Sequence, residues 1–257
     1  SVNLVIRAKK TSAKGFVNAI LRRATREKIE LNYADEIEQI SVETSHPRWL
    51  IEKWINQFGI AETKKLAEAN NKTPNMDFRF TAKTTDAIRK SLENTKPEKS
   101  FLRDLAENGK IYFQDAGSQL VGKAVDLQEG EKFLDVCSAP GSKFTQIATY
   151  SKQMIFGGDI HFRRVETVRD SAKKQGLKNV QIAQYDAEDS LPFADETFDV
   201  VLLDAPCSGT GTIRHNPEIR YHLRENDFSE LSAKQLRILQ NASKVLKPGG
   251  RLIYSTC

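Results

Sequence analysis

Phe133-Leu-Asp-Val-Cys137-Ser-Ala-Pro-Gly141-Ser-Lys143 is the stretch whose reading decides the fold. Apolar residues run into an aspartate, then into a tight turn with one proline and one glycine, and a helical pattern starts at Lys143. A strand that turns straight into a helix offers its backbone amides to a ligand at the helix N-terminus. GxGxxG needs three glycines where this turn has one, and the GxxxxGK[ST] spacing of a phosphate loop is missing. The turn therefore points to a nucleoside-type cofactor but argues against a nicotinamide oxidoreductase.

Working outward, strands are predicted at Lys132–Val136, Met154–Asp159, Val180–Gln184, Val200–Asp204 and Arg251–Ser255. Helices start near Gly117, Lys143, Arg163 and Glu230. Strands separated by helical segments predict an α/β fold, a parallel doubly wound Rossmann-like sheet. In such a sheet the strand C-termini open onto one crevice where ligands bind. Four aspartates follow successive strands. Asp135 ends the first, and Asp159 ends the second at a position suited to accept ribose hydroxyls. Asp186 follows the third, placed to meet an adenine edge or a ligand ammonium, and Asp204 ends the fourth. Two of the strands also lead to cysteines: Asp204-Ala-Pro-Cys207-Ser-Gly-Thr-Gly211 and Tyr254-Ser-Thr-Cys257. A cofactor turn, carboxylates and two thiols gathered in one crevice describe an enzyme working through sulfur.

The 257 residues suffice for one large domain and a smaller one. Hydrophobic content of 39% and charged content of 28% fit a globular chain rather than a disordered one. No apolar run reaches the roughly 18–20 residues of a membrane span. Three cysteines without CxxC spacing read as unpaired, as expected in a reducing cytoplasm, and with four scattered histidines they offer no zinc site. Net charge is +5, and basic residues crowd the start: Arg7, Lys9, Lys10, Lys14, Arg22, Arg23, Arg26 and Lys28. A clustered basic face is the footprint of a polyanion binder, and a solvated helix face explains it equally well.

Upstream of Gln114 the pattern is helical over Val2–Arg26, with Phe16, Val17, Ile20 and Leu21 on one stripe and Gly15 marking the second helix. Ser45-His-Pro47 reads as an N-cap with an early-turn proline. The helix after it carries Leu50, Ile51, Trp54, Ile55 and Phe58 and ends near Gly59. A short helix from Ala61 to Asn70, an edge strand at Met76–Phe80, a helix at Thr84–Leu92 and a strand at Gly109–Phe113 complete a small α+β module. The expected organisation is a helical tail and connector over 1–44, the module over 45–113 and the large domain over 114–257. Ser1 in place of an initiator Met, and an end at Cys257, read as a segment of a longer protein lacking the last strands of its sheet.

Cys137-Ser138-Ala139-Pro140-Gly141-Ser142-Lys143, Asp159, Asp186, the Pro-Cys loop through Gly211 and Ser255-Thr-Cys257 resemble the ordered motifs of the Sun/Fmu-type RNA cytosine-C5 methyltransferases. Gln114-Asp-Ala-Gly-Ser118-Gln-Leu120 extends the resemblance, which covers roughly residues 45–257. Ser142 departs from the second glycine usual in that family. Lys14-Gly-Phe-Val-Asn-Ala-Ile-Leu-Arg-Arg23 is similar to the last helices of the NusB-like domain fused to the bacterial small-subunit (16S) rRNA enzymes.

The resemblance implies S-adenosylmethionine as cofactor, held by residues 137–143 with Asp159, Asp186 and Asp204. It implies Cys257 as the nucleophile that adds to cytosine C6, and Cys207 as the residue that assists product release. DNA cytosine-C5 methyltransferases use the Pro-Cys cysteine for attack, which keeps swapped roles as the rival. Lys143 is expected to pair with the cofactor carboxylate or line the RNA path, and Cys137 to pack around the cofactor. Ribosomal RNA is the implied partner, its target base unpaired or extruded because C6 is shielded in a stacked helix, with phosphate and shape contacts from the basic helices and the small module. The alternative is a ribosome-assembly factor that binds RNA on a methyltransferase scaffold without turnover.

Overall fold

The structure, a computed structural model, describes residues 2–27, 31–93 and 97–257. Lys28 of the basic run lies outside them. The chain divides into two compact units, Ser1–Ala67 and Glu68–Cys257.

The first unit is helical. α1 (Val2–Arg7), a 3-10 turn at Thr11–Ala13 and α2 (Lys14–Arg26) form the helical stretch, the second helix starting one residue before Gly15, and neither helix buries a residue. α3 (Glu36–Thr44) is capped by Asp35, whose carboxylate accepts the Glu38 amide. Ser45 is not the N-cap expected. It closes α3 in the left-handed region at φ 56°, its N–H reaching the Ser41 and Val42 carbonyls. It stands two residues ahead of the N-cap position of the next helix, which Pro47 takes immediately before α4 (Arg48–Phe58). Leu50, Ile51 and Trp54 of α4 are buried, while Phe58 is exposed and Trp49 half-buried. α5 (Ile60–Asn70) follows.

The second unit opens with a two-stranded antiparallel ribbon, β1 (Phe78–Phe80) and β2 (Ile111–Phe113). Between them lie α6 (Asp86–Leu92) and α7 (Lys99–Glu107). Period-2 alternation turns Phe78 and Phe80 toward a cluster with Ile88, Leu92, Leu102, Leu105 and Ile111. It turns Arg79, between them, to the opposite side.

After α8 (Ala116–Ala124) come β3 (Phe133–Asp135), α9 (Ser142–Tyr150), β4 (Ile155–Asp159), α10 (Phe162–Lys174) and β5 (Val180–Gln184). β6 (Phe198–Asp204), α11 (Ile219–His222), α12 (Asp227–Lys244) and β7 (Leu246–Ser255) complete it. The five strands are all parallel in the order β5-β4-β3-β6-β7.

Both faces are covered. Phe133, Val200 and Leu202 face Phe144 and Ile147 of α9 and Val165 and Val168 of α10. Their neighbours Leu134, Val201 and Leu203 face Ile238 and Ala242 of α12. Phe198 shares a face with Val201 rather than Val200, because an irregularity between 198 and 200 shifts the alternation. β3 leads to β4 on one side and β6 to β7 on the other, so the strand order reverses between β3 and β6 and opens the crevice there. No described helix is long and apolar enough to cross a membrane.

Candidate active site

A cavity of about 390 Å³ lies at the C-terminal ends of β3, β4, β5 and β6. Of the residues singled out by sequence, Cys137, Ala139, Asp159, Asp186, Asp204 and Cys207 line it. The rest of the turn supports those from behind. The Ser138 amide and hydroxyl both donate to the Gly158 carbonyl, tying the turn to β4 at 2.8 and 3.1 Å. Pro140 is exposed and follows a cis peptide bond. Gly141 caps α9 at φ 105°, where an L side chain is strained. Ser142 begins α9, and Lys143 reaches across to β6.

Asp204 is held from both sides. Its Oδ2 is 2.6 Å from the Lys143 ammonium, and its Oδ1 accepts the Ser255 hydroxyl at 2.6 Å. Asp159 is buried; it accepts the His161 amide at 3.1 Å and lies 3.6 Å from the Arg164 guanidinium. Asp186 accepts the Glu188 amide. Behind them Asp135 is fully buried with no partner for Oδ1. Burial first, then the Asp204 charge, push its carboxyl up to about 8, against the pull of Lys143. Burial and the same carboxylates push the Cys137 thiol up to about 12, so it stays protonated and packs rather than attacks.

Cys207 and Cys257 come from the loops after β6 and β7. The structure pairs them as a disulfide with Cα atoms 6.4 Å apart, where the sequence reading expected unpaired thiols. Fifty residues separate them in the chain, and only the parallel pairing of β6 with β7 brings the two loops together. Gly211 makes the approach feasible: a Cβ there would stand 2.9 Å from the Cys257 carbonyl carbon. A second cavity of about 320 Å³, lined by both cysteines with Thr210, Phe228, Gln235 and Thr256, adjoins the first at Cys207.

Sequence reasoning missed Arg164 and Lys234, which also line the first cavity, and Arg79 behind it. Arg164 had a usable signal, standing five residues past Asp159 at the start of a helix. Lys234 had none, being one cation among several on α12. Among the described residues no cluster of His, Cys, Asp and Glu is placed to hold a metal ion.

Three carboxylates on the cavity wall, and Asp135 behind them with its Oδ1 unpartnered, suit a cationic ligand. Ile160, Ala187, Pro206 and Ile238 supply flat apolar wall beside them. A doubly wound sheet with this crevice defines a Rossmann-like methyltransferase domain. Residues 123–257 match the family described as 16S rRNA methyltransferase RsmB/F, and residues 46–96 match its RsmF/B-like ferredoxin-like domain. The chain belongs to the RsmB/F family.

It is 32% identical over 265 residues to the probable ribosomal RNA small subunit methyltransferase B of Bacillus subtilis, covering 94% of this chain and 59% of that one. It is also 32% identical to ribosomal RNA small subunit methyltransferase B of an Enterobacter strain, covering 97% and 62%. The chain thus spans roughly three fifths of the length of these curated relatives. The crystal structure of PH0851 superposes with a TM-score of 0.82 at 28% identity, over 100% of this chain and 62% of that one. NSun6 from Pyrococcus horikoshii, solved with SFG, gives 0.56 at 31% identity over 63% and 41%.

Proposed function

We propose that the protein transfers a methyl group from S-adenosylmethionine to C5 of a cytosine in small-subunit ribosomal RNA. One observation carries the reading: Cys207, on the wall of a carboxylate-lined cavity, meets Cys257 with Cα atoms 6.4 Å apart. The NSun6 structure was solved with SFG, an S-adenosylmethionine analogue, which supports that cofactor here. When bound, the cofactor supplies an electrophilic methyl carbon on a sulfonium. Asp159 is proposed to accept the ribose hydroxyls and Asp186 to meet the adenine edge or the ammonium. Residues 137–143 would form the wall against which the cofactor lies.

Cytosine C5 is a poor nucleophile until sulfur adds at C6. In the proposed sequence the reduced Cys257 thiolate would form a bond to C6, and the displaced ring electrons would take up the methyl group at C5 as its bond to the sulfonium breaks, that electron pair staying on the sulfur. Transfer of the C5 proton to solvent then restores the 5,6 double bond as the C6–sulfur bond breaks, returning the electron pair to Cys257. Cys207 assists that release. Asp204, fixed by Lys143 and Ser255, is placed to contact the cytosine edge or the cofactor. Both thiols must be free for these roles, so the reduced protein is the competent form.

The test is Cys207→Ala, incubated under reductant with S-adenosylmethionine and small-subunit rRNA. An RNA–protein band should survive denaturing electrophoresis and vanish when Cys257 is also replaced by Ala. A band in Cys257→Ala and none in Cys207→Ala would reverse the roles. No band in any variant, with no methyl incorporated by the reduced wild type, would overturn the proposal in favour of a non-catalytic RNA-binding factor.

A further inference from the structure

Arg79 is only 4% exposed, and it forms no ion pair with a carboxylate among the described residues. Burial lowers its guanidinium to about 10, so it is still cationic at neutral pH. A buried charge without a counter-ion is costly and persists only where hydrogen bonds replace its water. Its donors are spent accordingly. Nε donates to Gln114 Oε1 at 2.7 Å and Nη1 to the Phe80 carbonyl at 3.3 Å. Nη2 donates to Thr145 Oγ1 at 2.7 Å and to the Ser142 carbonyl at 3.3 Å. The guanidinium carbon lies 4.8 Å from the centre of the Tyr112 ring.

Two of those bonds lead to the turn after β3. The Thr145 hydroxyl donates to the Gly141 carbonyl at 2.6 Å, so toward Arg79 it can only accept. The direction of the chain is therefore fixed: Arg79 to Thr145 to Gly141, with a parallel bond to Ser142. A second branch runs from Arg79 through Gln114 to Gln146 of α9, at 2.7 Å for each bond. The strand that supplies Arg79 belongs to the ribbon, and two of the groups its guanidinium bonds, the Ser142 carbonyl and the Thr145 hydroxyl, belong to the start of the cofactor helix.

We infer that Arg79 is a positioning residue for the cofactor turn, holding the Gly141–Ser142 peptides in the geometry that binds S-adenosylmethionine. The inference rests on the cofactor reading above. Hydrogen bonds to a charged donor are about twice as strong as neutral ones, and the planar fork meets two acceptors at once. Lysine keeps the charge but lacks the fork.

The test measures S-adenosylmethionine affinity by calorimetry, alongside thermal stability, in the whole chain. Arg79→Lys should weaken binding roughly tenfold, and Thr145→Val should weaken it similarly. The double variant should be no worse than about the weaker single, because both cut one chain of bonds. Thr81→Val is the control. Thr81 directly follows β1 and bonds the Gly109 and Lys110 carbonyls, and none of its hydrogen bonds reaches the turn. It should lower the melting temperature and leave affinity unchanged. If Arg79→Lys and Thr145→Val lose stability but bind as wild type, Arg79 is only structural and the inference fails. If the wild type itself binds no S-adenosylmethionine, the cofactor reading fails and takes the inference with it.

Discussion

α10 and α2 are both thirteen-residue amphipathic helices, and the molecule uses them oppositely. α10 buries Val165, Val168 and Ala172 completely against the sheet. α2 buries nothing, and Phe16 is 69% exposed at the centre of its apolar stripe. A periodic stripe establishes that a helix forms; what covers the stripe is decided elsewhere. The comparison breaks most visibly at two phenylalanines. Phe144→Ala removes a fully buried ring beside Phe133 and Val168 and should cost about 3–5 kcal/mol of unfolding free energy. Phe16→Ala should stay within about 0.5 kcal/mol. Denaturant titrations of the two variants check this, and equal losses would mean that α2 is packed in solution.

The same contrast explains what could be read from sequence. Strands β3, β4, β6 and β7 were legible because each carries an apolar run ending at a polar residue, and β5, Val-Gln-Ile-Ala-Gln, has the predicted bounds. The bunching of Asp159, Asp186 and Asp204 followed once the sheet was parallel, since strand ends share a crevice. α7 went unnamed although Leu102 and Leu105 recur at helical spacing and Gly109 follows its end; that signal was present. Arg79 was different. Within Phe78-Arg-Phe80 it reads as the solvated side of an edge strand, and only packing against α9 reveals it as buried. The Cys207–Cys257 pairing was hidden for a related reason: β6–β7 register sets it, and no local spacing encodes register.

A smaller effect sharpens the comparison within the crevice. Gly211→Ala would set a methyl group 2.9 Å from the backbone of Cys257, where backbone cannot yield as a flexible side chain would. A shift of about 1 Å in a reacting group can cost on the order of 100-fold in rate. Methylation by the reduced variant should fall by about that factor, with the melting temperature changed by a few degrees at most. Gly15 of α2 meets nothing within 4 Å at its Cβ position, so Gly15→Ala should leave the rate unchanged. If Gly211→Ala retains wild-type rate, the loop is free to move away from Cys257 and the glycine is not holding the two cysteines together.

Charge separates the two regions as sharply as packing does. The basic residues of α2 are exposed, whereas Asp135 sits beneath the crevice with Asp204 on β6, Asp159 on β4 and Lys143 on α9 acting on it. Its carboxyl is raised from an ordinary 3.8 to about 8, so the folded chain holds a proton that the unfolded chain has released. Stability from this group is full below about pH 4 and is lost as pH rises toward 8, because unfolding then releases a proton. Asp135→Asn cannot titrate and serves as the reference. The stability of wild type relative to Asp135→Asn should fall by up to about 1.4 kcal/mol per pH unit across that window. A cation bound against the carboxylates would favour the ionised form, so S-adenosylmethionine binding should release a proton near neutral pH. Calorimetry in buffers of different ionisation enthalpy reads that release directly. A pH-independent difference between wild type and Asp135→Asn would mean that Asp135 is ionised in the fold, its charge balanced by Lys143 despite the neighbouring carboxylates.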